Sequence, residues 1–471
     1  MTVRRIDKKK GILRLLCPVL LSFFFSTQAL AQNMPLVVSL AKEQRWEQLE
    51  NLLQDGVNAN AIYGDGTTAL HWASYHDSVD AVMVLLDSGA EVNATTDLGV
   101  TPLWLAAENG SMAITELLLQ AGADPNVSLL SGESIVMTAS QSGNGDVVRA
   151  VLAAGGDANA AVTREQTALM WAANRDHHSA VAALIEFGAD VHARSEVAEH
   201  YTKAEKEQDS SDDYKRWVKM GGNNALMFAA RAGSLLSAKH LVAAGADVNS
   251  HNAFGTSPLI MAIHGGNPDF VEFLINQGAD VDDEQSGHTA LHAAVLRGNV
   301  EAVRTLIDAG ANLELTVKDS TPVRRQSTDY NFHNALIGAT PLWLAARFAE
   351  PVIMMELLDA GADAFTVNNV SYPAQNMGEN YIAEEGDISI LMAAAGMGHR
   401  RLRVSWWTPE RRAGQLGKSA EEFILDAVTI SAQAGVDPDF ADASGQTALA
   451  FARARRYDSV VAFLEAIGAS E

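Results

Sequence analysis

A capped apolar phrase returns down this chain. One Thr, Ser or Asn opens it, Pro, Ala or Ile follows, then apolar positions, then a pair of small residues. It reads Thr68-Ala-Leu-His-Trp-Ala-Ser, Thr101-Pro-Leu-Trp-Leu-Ala-Ala, Ser134-Ile-Val-Met-Thr-Ala-Ser and Thr167-Ala-Leu-Met-Trp-Ala-Ala, the early copies starting 33 residues apart. Further copies open at Asn224, Ser257, Thr289, Thr340, Ser389 and Thr447. A second apolar stripe follows, as in Val82-Met-Val-Leu-Leu, and in almost every copy a Gly stands 21 residues after the opening residue. The pattern predicts two helices per copy. The opening side-chain oxygen can accept an orphan backbone N–H, Pro suits the first helical turn, and Gly suits a left-handed C-cap. A fixed period of this size means stacked units, none of which buries its apolar face alone.

The Gly opens a second signature: Gly89-Ala-Glu-Val-Asn, Gly122-Ala-Asp-Pro-Asn, Gly188-Ala-Asp-Val-His, Gly245-Ala-Asp-Val-Asn, Gly278-Ala-Asp-Val-Asp, Gly310-Ala-Asn-Leu-Glu and Gly361-Ala-Asp-Ala-Phe. With the Thr-Pro-Leu-His-x-Ala type of phrase, this resembles the ankyrin repeat over nearly all of the chain after residue 34. The resemblance implies an all-α solenoid of about eleven helix-turn-helix units joined by short β-hairpin fingers, spanning 35–471. A degenerate N-terminal capping unit covers 35–67, and repeats start near 68, 101, 134, 167, 224, 257, 289, 340, 389 and 447. It also implies non-catalytic protein binding through the finger tips and the inner helix surface, with His71 and His292 making loop hydrogen bonds.

Four interruptions break the period, near 196–222, 313–338, 366–387 and 398–422. The first three fall in finger regions, and the fourth falls between the two helices of one repeat. The acidic stretch Glu196 to Arg216 mixes both charge signs and is expected to be a solvated helix or loop. The fourth contains His399-Arg-Arg-Leu-Arg-Val-Ser-Trp-Trp-Thr-Pro-Glu-Arg-Arg412. Arg400, Arg401, Arg403, Trp406, Trp407, Arg411 and Arg412 are interface-anchor residue types. They fit docking of an acidic partner, or folding over the acidic solenoid itself. By the resemblance, the ends of the first helices also face a partner: Tyr75, His76, Glu108, Asn109, Asn174, Arg175, Arg231, Arg297, Arg347 and Phe348.

The first 31 residues read as a cleavable signal peptide. Arg4, Arg5, Lys8, Lys9, Lys10 and Arg14 precede the apolar run Leu15 to Phe25, and Ala29-Leu-Ala31 matches a signal-peptidase site. The run is too short for a stable membrane span. Export is expected, to a bacterial periplasm or the exterior. Cys17, the one cysteine, lies in this leader, so the mature chain is expected to have no disulfides.

The formal charge of −24 disfavours nucleic acid and anionic lipid as partners. No P-loop, G-x-S-x-G, H-E-x-x-H or C-x-x-C is present, so no enzyme class is indicated and no cofactor or metal is expected. His177-His178 and the pair His71 and His76 are weak metal candidates. The run Asp437-Pro-Asp-Phe-Ala-Asp442 lacks the distal Glu of a calcium loop and reads as a turn. The expected partner is another protein, and the expected role a scaffold, inhibitor or assembly factor. The alternatives are an enzyme or ligand receptor whose site is built from the insertions, and a self-associating array.

Overall fold

The computed structural model describes residues 34–203, 215–319, 321, 336–375, 381–397 and 417–470. The leader and the basic, aromatic stretch His399 to Arg412 lie outside the described residues. The chain divides into two compact bodies, residues 1–130 and 131–471.

The N-terminal body holds three antiparallel helix pairs: α1 Leu36–Lys42 with α2 Trp46–Gln54, α3 Ala69–Tyr75 with α4 Val79–Asp87, and α5 Pro102–Asn109 with α6 Met112–Gln120. First helices pack on first helices (α1 on α3 on α5) and second on second (α2 on α4 on α6). The C-terminal body continues with α7 Ile135–Ser142 and α8 Gly145–Ala153, then a small hairpin of β1 Ala161–Val162 and β2 Gln166–Thr167. Next come α9 Ala168–Asn174 and α10 His178–Glu186, strands β3 Val197–Lys203 and β4 Lys215–Gly221, and α11 Ala225–Ala232 with α12 Leu235–Ala243. The pairs α13 Pro258–Gly265 with α14 Pro268–Asn276, α15 Ala290–Arg297 with α16 Val300–Asp308, and α17 Pro341–Arg347 with α18 Pro351–Asp359 follow. Strands β5 Val367–Gln375 and β6 Tyr381–Ser389 lead into α19 Ile390–Ala394, whose partner α20 Ala420–Gln433 begins after the fourth interruption. The last pair is α21 Ala448–Arg455 with α22 Asp458–Ala466. Each body is thus a stack of the expected helix pairs, eleven in all among the described residues.

Every opening residue of the repeated phrase acts as the N-cap predicted for it. From Thr68 to Thr447, all ten accept the backbone N–H three residues on. Each such cap is worth about 1 kcal/mol against Ala. In two repeats the N3 side chain completes the cap. His71 Nδ1 accepts the Thr68 N–H at 3.2 Å while its Nε2–H donates to the Val100 carbonyl at 3.0 Å. His292 repeats this with the Thr289 N–H (3.1 Å) and the Ala339 carbonyl (3.2 Å). Both bonds need the neutral ring with its proton on Nε2, and burial pushes both pKa values down, His292 to about 4. Trp343 stands at the same place as these imidazoles, and its indole N–H donates to the Ile388 carbonyl at 2.9 Å. In all three cases the acceptor is the residue just before the next N-cap, so one ring ties each repeat to the finger of its successor.

The signature after each second helix has an equally defined job. The Asn60 side-chain amide donates to the Gly89 carbonyl (2.9 Å), and its oxygen accepts the Glu91 N–H (2.6 Å). Asn93, Asn159 and Asn249 make the same two-way bridge to the next repeat. Asp282, Glu314 and Asp439 keep the accepting half of it.

Two expectations need correction. In the insertion from Glu196 to Arg216, expected as a solvated helix or loop, the described ends Val197–Lys203 and Lys215–Gly221 instead pair as an antiparallel ribbon. The interruption near 366–387 is likewise a ribbon, Val367–Gln375 against Tyr381–Ser389, so two of the fingers are long. The physical reason is local: a finger is already a turn between antiparallel segments, so residues added at its tip lengthen the ladder at no topological cost. The fourth interruption does fall between two helices of one repeat, but the second of these, α20, runs for 14 residues from a Ser419–Glu422 capping box.

Candidate partner-binding surface

The residues singled out on the first-helix ends do not form one class. In the N-terminal body, Tyr75 is exposed and His76 half-buried at the end of α3. His76 is held on both sides, its Nε2 3.1 Å from the Lys42 carbonyl and its Nδ1 3.3 Å from the Gln44 amide. It stacks on Trp72 at 5.7 Å, with Trp46 and Tyr75 edge-on and the Lys42 ammonium 5.4 Å from the Trp72 ring. Asn109 donates to the Ser74 and Tyr75 carbonyls, both at 3.0 Å. His76 and Asn109 are therefore committed to capping the C-terminal carbonyls of the preceding first helix. Glu108 is half-buried, so Tyr75 and Asn109 are the exposed members of the four.

In the C-terminal body the structure gathers Asn174, Arg175 and Arg231 into one exposed cluster. The Arg231 guanidinium donates to the Asn174 side-chain oxygen at 3.1 Å, which joins two successive repeats. Arg231 lies 5.3 Å from the Phe228 ring, and Arg175 lies 5.9 Å from the Trp171 ring. Guanidinium groups on aromatic faces lose rotamer freedom but keep their outward N–H edges, so they are ordered in advance for carboxylates. Sequence reasoning missed Trp171 and Phe228. The usable signal was an aromatic residue three or four positions before an Arg on one helix.

The remaining positions depart from the expected surface. Arg297 is half-buried. Arg347 is enclosed at its guanidinium, and burial pushes it down to about 10, with Tyr457 and Arg455 as its titratable neighbours. Phe348 is corrected outright: it is 5% exposed and belongs to the core, where a buried phenyl ring gains roughly 2–3 kcal/mol over an exposed one. Arg400, Arg401, Arg403, Trp406, Trp407, Arg411 and Arg412 fall outside the described residues.

The weak metal and calcium candidates resolve into hydrogen bonding. His177 Nδ1 lies 2.9 Å from the Ser140 carbonyl. Asp442 accepts the N–H groups of Ser444 and Gln446, both at 2.9 Å, as an Asx turn does. Among the described residues no three His, Cys, Asp or Glu side chains gather as a metal-holding group, and no helix is long and apolar enough to cross a membrane. His251 and Asp283 form a half-buried pair at 2.9 Å.

Comparison with known proteins gives the arrangement a context. A family model described as "Ankyrin repeats (3 copies)" matches residues 37–129, 122–195 and 226–319, more than half of the chain. A transient receptor potential cation channel subfamily A member 1 homolog of Caenorhabditis elegans is 33% identical over 20% of this chain and 8% of its own length. A mouse B-cell lymphoma 3 protein homolog is 37% identical over 19% of this chain and 21% of its own. The alignments therefore span a small part of these relatives. The human ASB11 ankyrin repeat domain is similar to 52% of this chain and 99% of that structure's, at 25% identity and a TM-score of 0.41.

Proposed function

The chain belongs to the ankyrin repeat family, and from that premise we propose that it is a non-catalytic recognition module acting outside the cytoplasm. Its role is to hold another exported protein, as a scaffold, inhibitor or assembly factor. The observation that carries this reading is the cluster Trp171, Asn174, Arg175, Phe228 and Arg231. Its two guanidinium groups are presented on aromatic faces by helices that start at the Thr167 and Asn224 N-caps and are joined by the Arg231–Asn174 hydrogen bond. Such a surface suits carboxylate-bearing side chains of a folded partner. Export is supported by the basic and apolar leader with its Ala29-Leu-Ala31 site, and the periplasm is the compartment we favour.

The experiment is cross-linking capture from an envelope extract with wild-type bait and with an Arg175→Glu/Arg231→Glu bait. Mass spectrometry then identifies what each retains. A protein held by the wild type and lost by the double variant supports the reading. Equal capture by both moves the contact elsewhere on the repeats. No capture above background refutes the recognition role. Fractionation of cells expressing the tagged chain tests the compartment, and a purely cytoplasmic signal at full length removes the export proposal.

A further inference from the structure

The three fingers of the N-terminal body, which follow α2, α4 and α6, touch at their tips. The Asp97 N–H of the second donates to the Asp65 carbonyl of the first at 2.9 Å. The Leu130 N–H of the third donates to the Leu98 carbonyl of the second at 3.1 Å. Glycine permits this approach. Gly66 (φ +84°) and Gly99 (φ +82°) lie against the next finger, where a Cβ would stand 2.7 Å from the Thr95 carbonyl oxygen and 3.1 Å from that of Ser128. The row of tips is therefore held by backbone contacts before any partner arrives, which lowers the ordering cost of binding.

At these tips Leu98 is 41% exposed and Leu130 79% exposed. A single exposed Leu is ordinary on a protein surface. Two on neighbouring tips, joined by a hydrogen bond, form one apolar strip, and the exposed Asp97 stands beside it in the chain. The charge of the surrounding body has one sign. From Trp46 to Leu130 the chain carries twelve Asp and Glu residues and no Lys or Arg. The only two such bases among the body's described residues, Lys42 and Arg45, belong to the capping unit. There Lys42 lies against the Trp72 ring and Arg45 pairs with Glu43. The Arg175–Arg231 cluster belongs to the other body, so the two bodies offer opposite charges to a partner.

We propose that the finger tips of the N-terminal body dock a lysine- or arginine-rich segment of a partner protein. Methylene stems of that segment lie on Leu98 and Leu130 while its charged heads reach Asp97, since long basic side chains cover apolar surface and keep their heads in water. An acidic segment meets only carboxylates on this body and is selected against. A second copy of the chain, of formal charge −24, is repelled for the same reason. This deepens the recognition reading above and rests on it.

The test uses the purified protein and a fluorescein-labelled peptide of alternating Lys and Leu, read by fluorescence anisotropy. Saturable binding is expected to weaken at least about tenfold in Leu98→Asn/Leu130→Asn and at least about threefold in Asp97→Lys. Leu98→Met/Leu130→Met keeps it, and added salt weakens it. A matched peptide of alternating Glu and Leu should bind at least about tenfold more weakly. Binding left unchanged by both the double Asn variant and Asp97→Lys overturns the proposal, because general attraction to an acidic chain then accounts for it. Equal affinity for the Glu–Leu peptide overturns it as well. Self-association that the double Asn variant abolishes also overturns it, by assigning the tips to a second copy. Cross-linking keeps the two levels apart: a partner captured equally by wild type and the double Asn variant removes the tip site and leaves the recognition role standing.

Discussion

His292 makes the stability of its repeat depend on pH in a calculable way. Its ring is buried and accepts the Thr289 N–H while donating to the Ala339 carbonyl. A second ring proton would point a donor at a donor. Burial holds the folded pKa at about 4, against 6.5 for the free side chain. Above pH 6.5 the ring is neutral in both states and no penalty exists. As pH falls below 6.5 the unfolded ring takes a proton that the folded ring refuses, and stability is lost until the folded ring also titrates near 4. The loss is about 2 kcal/mol at pH 5 and approaches about 3 kcal/mol below pH 4. His292→Gln keeps an uncharged side chain at this place and removes the titration. Stacked repeats need not unfold in one step, so the assay is hydrogen exchange of amides in α15, corrected for intrinsic rates, at pH 7, 6 and 5. The wild type should lose opening free energy relative to His292→Gln, by about 2 kcal/mol between pH 7 and 5. His71 and the carboxylates are common to both proteins and cancel, and a shared His288→Gln background removes the coupling of the neighbouring buried His288 to His292. Parallel curves for the two proteins would refute the reasoning.

Three further outcomes follow from particular contacts. Ala349 ends the first helix of its repeat at φ +51°, where five other repeats place glycine at the C-cap; Ala349→Gly should stabilise by about 1 kcal/mol, seen as a raised thermal midpoint. Trp343→Phe keeps the packing but leaves the buried Ile388 carbonyl without its donor, and should cost about 1–2 kcal/mol in the same melt. Asn249→Ala removes both halves of one finger bridge and should cost about 1–2 kcal/mol, with faster protease cleavage between Gly245 and Ser257 as the local readout.

The repeats were legible because their signals are local. A Thr and the N–H three residues on belong to one turn, so the cap can be read from the phrase alone. The same holds for the Asx turn at Asp442 and for the place of the fourth interruption. The ribbon at Val197 to Gly221 was misread because charge dominated the interpretation, although Tyr201, Thr202, Trp217 and Val218 are strand-favouring residues. His76 and Asn109 looked free because the carbonyls they serve lie about one repeat back in sequence. The pairing of Arg231 with Asn174, 57 residues apart across the inserted ribbon, could not be read from spacing at all. Phe348 failed as an exposed candidate because position within the repeat was weighed above the apolar character of the ring.

The finger Asn bridge also explains where this chain accepts extra sequence. Asn60, Asn93, Asn159 and Asn249 each need both an acceptor and a donor from the next repeat, about 30 residues on. In its two-way form the bridge acts as a length gauge across a plain junction, whereas the accepting half alone tolerates extra sequence: Glu314 still takes the Asp363 N–H across the interruption near 313–338. His192 and Phe365 occupy this place in the two repeats whose fingers run into ribbons. A phenyl ring supplies neither half of the bridge, and an imidazole lacks the amide's paired oxygen and nitrogen. Junctions without the gauge are thus natural splice points, where a recognition element can be exchanged with little disturbance to the helices on either side. Shortening the ribbon at Val367 to Ser389 to a plain finger should accordingly go together with Phe365→Asn, which puts the gauge back.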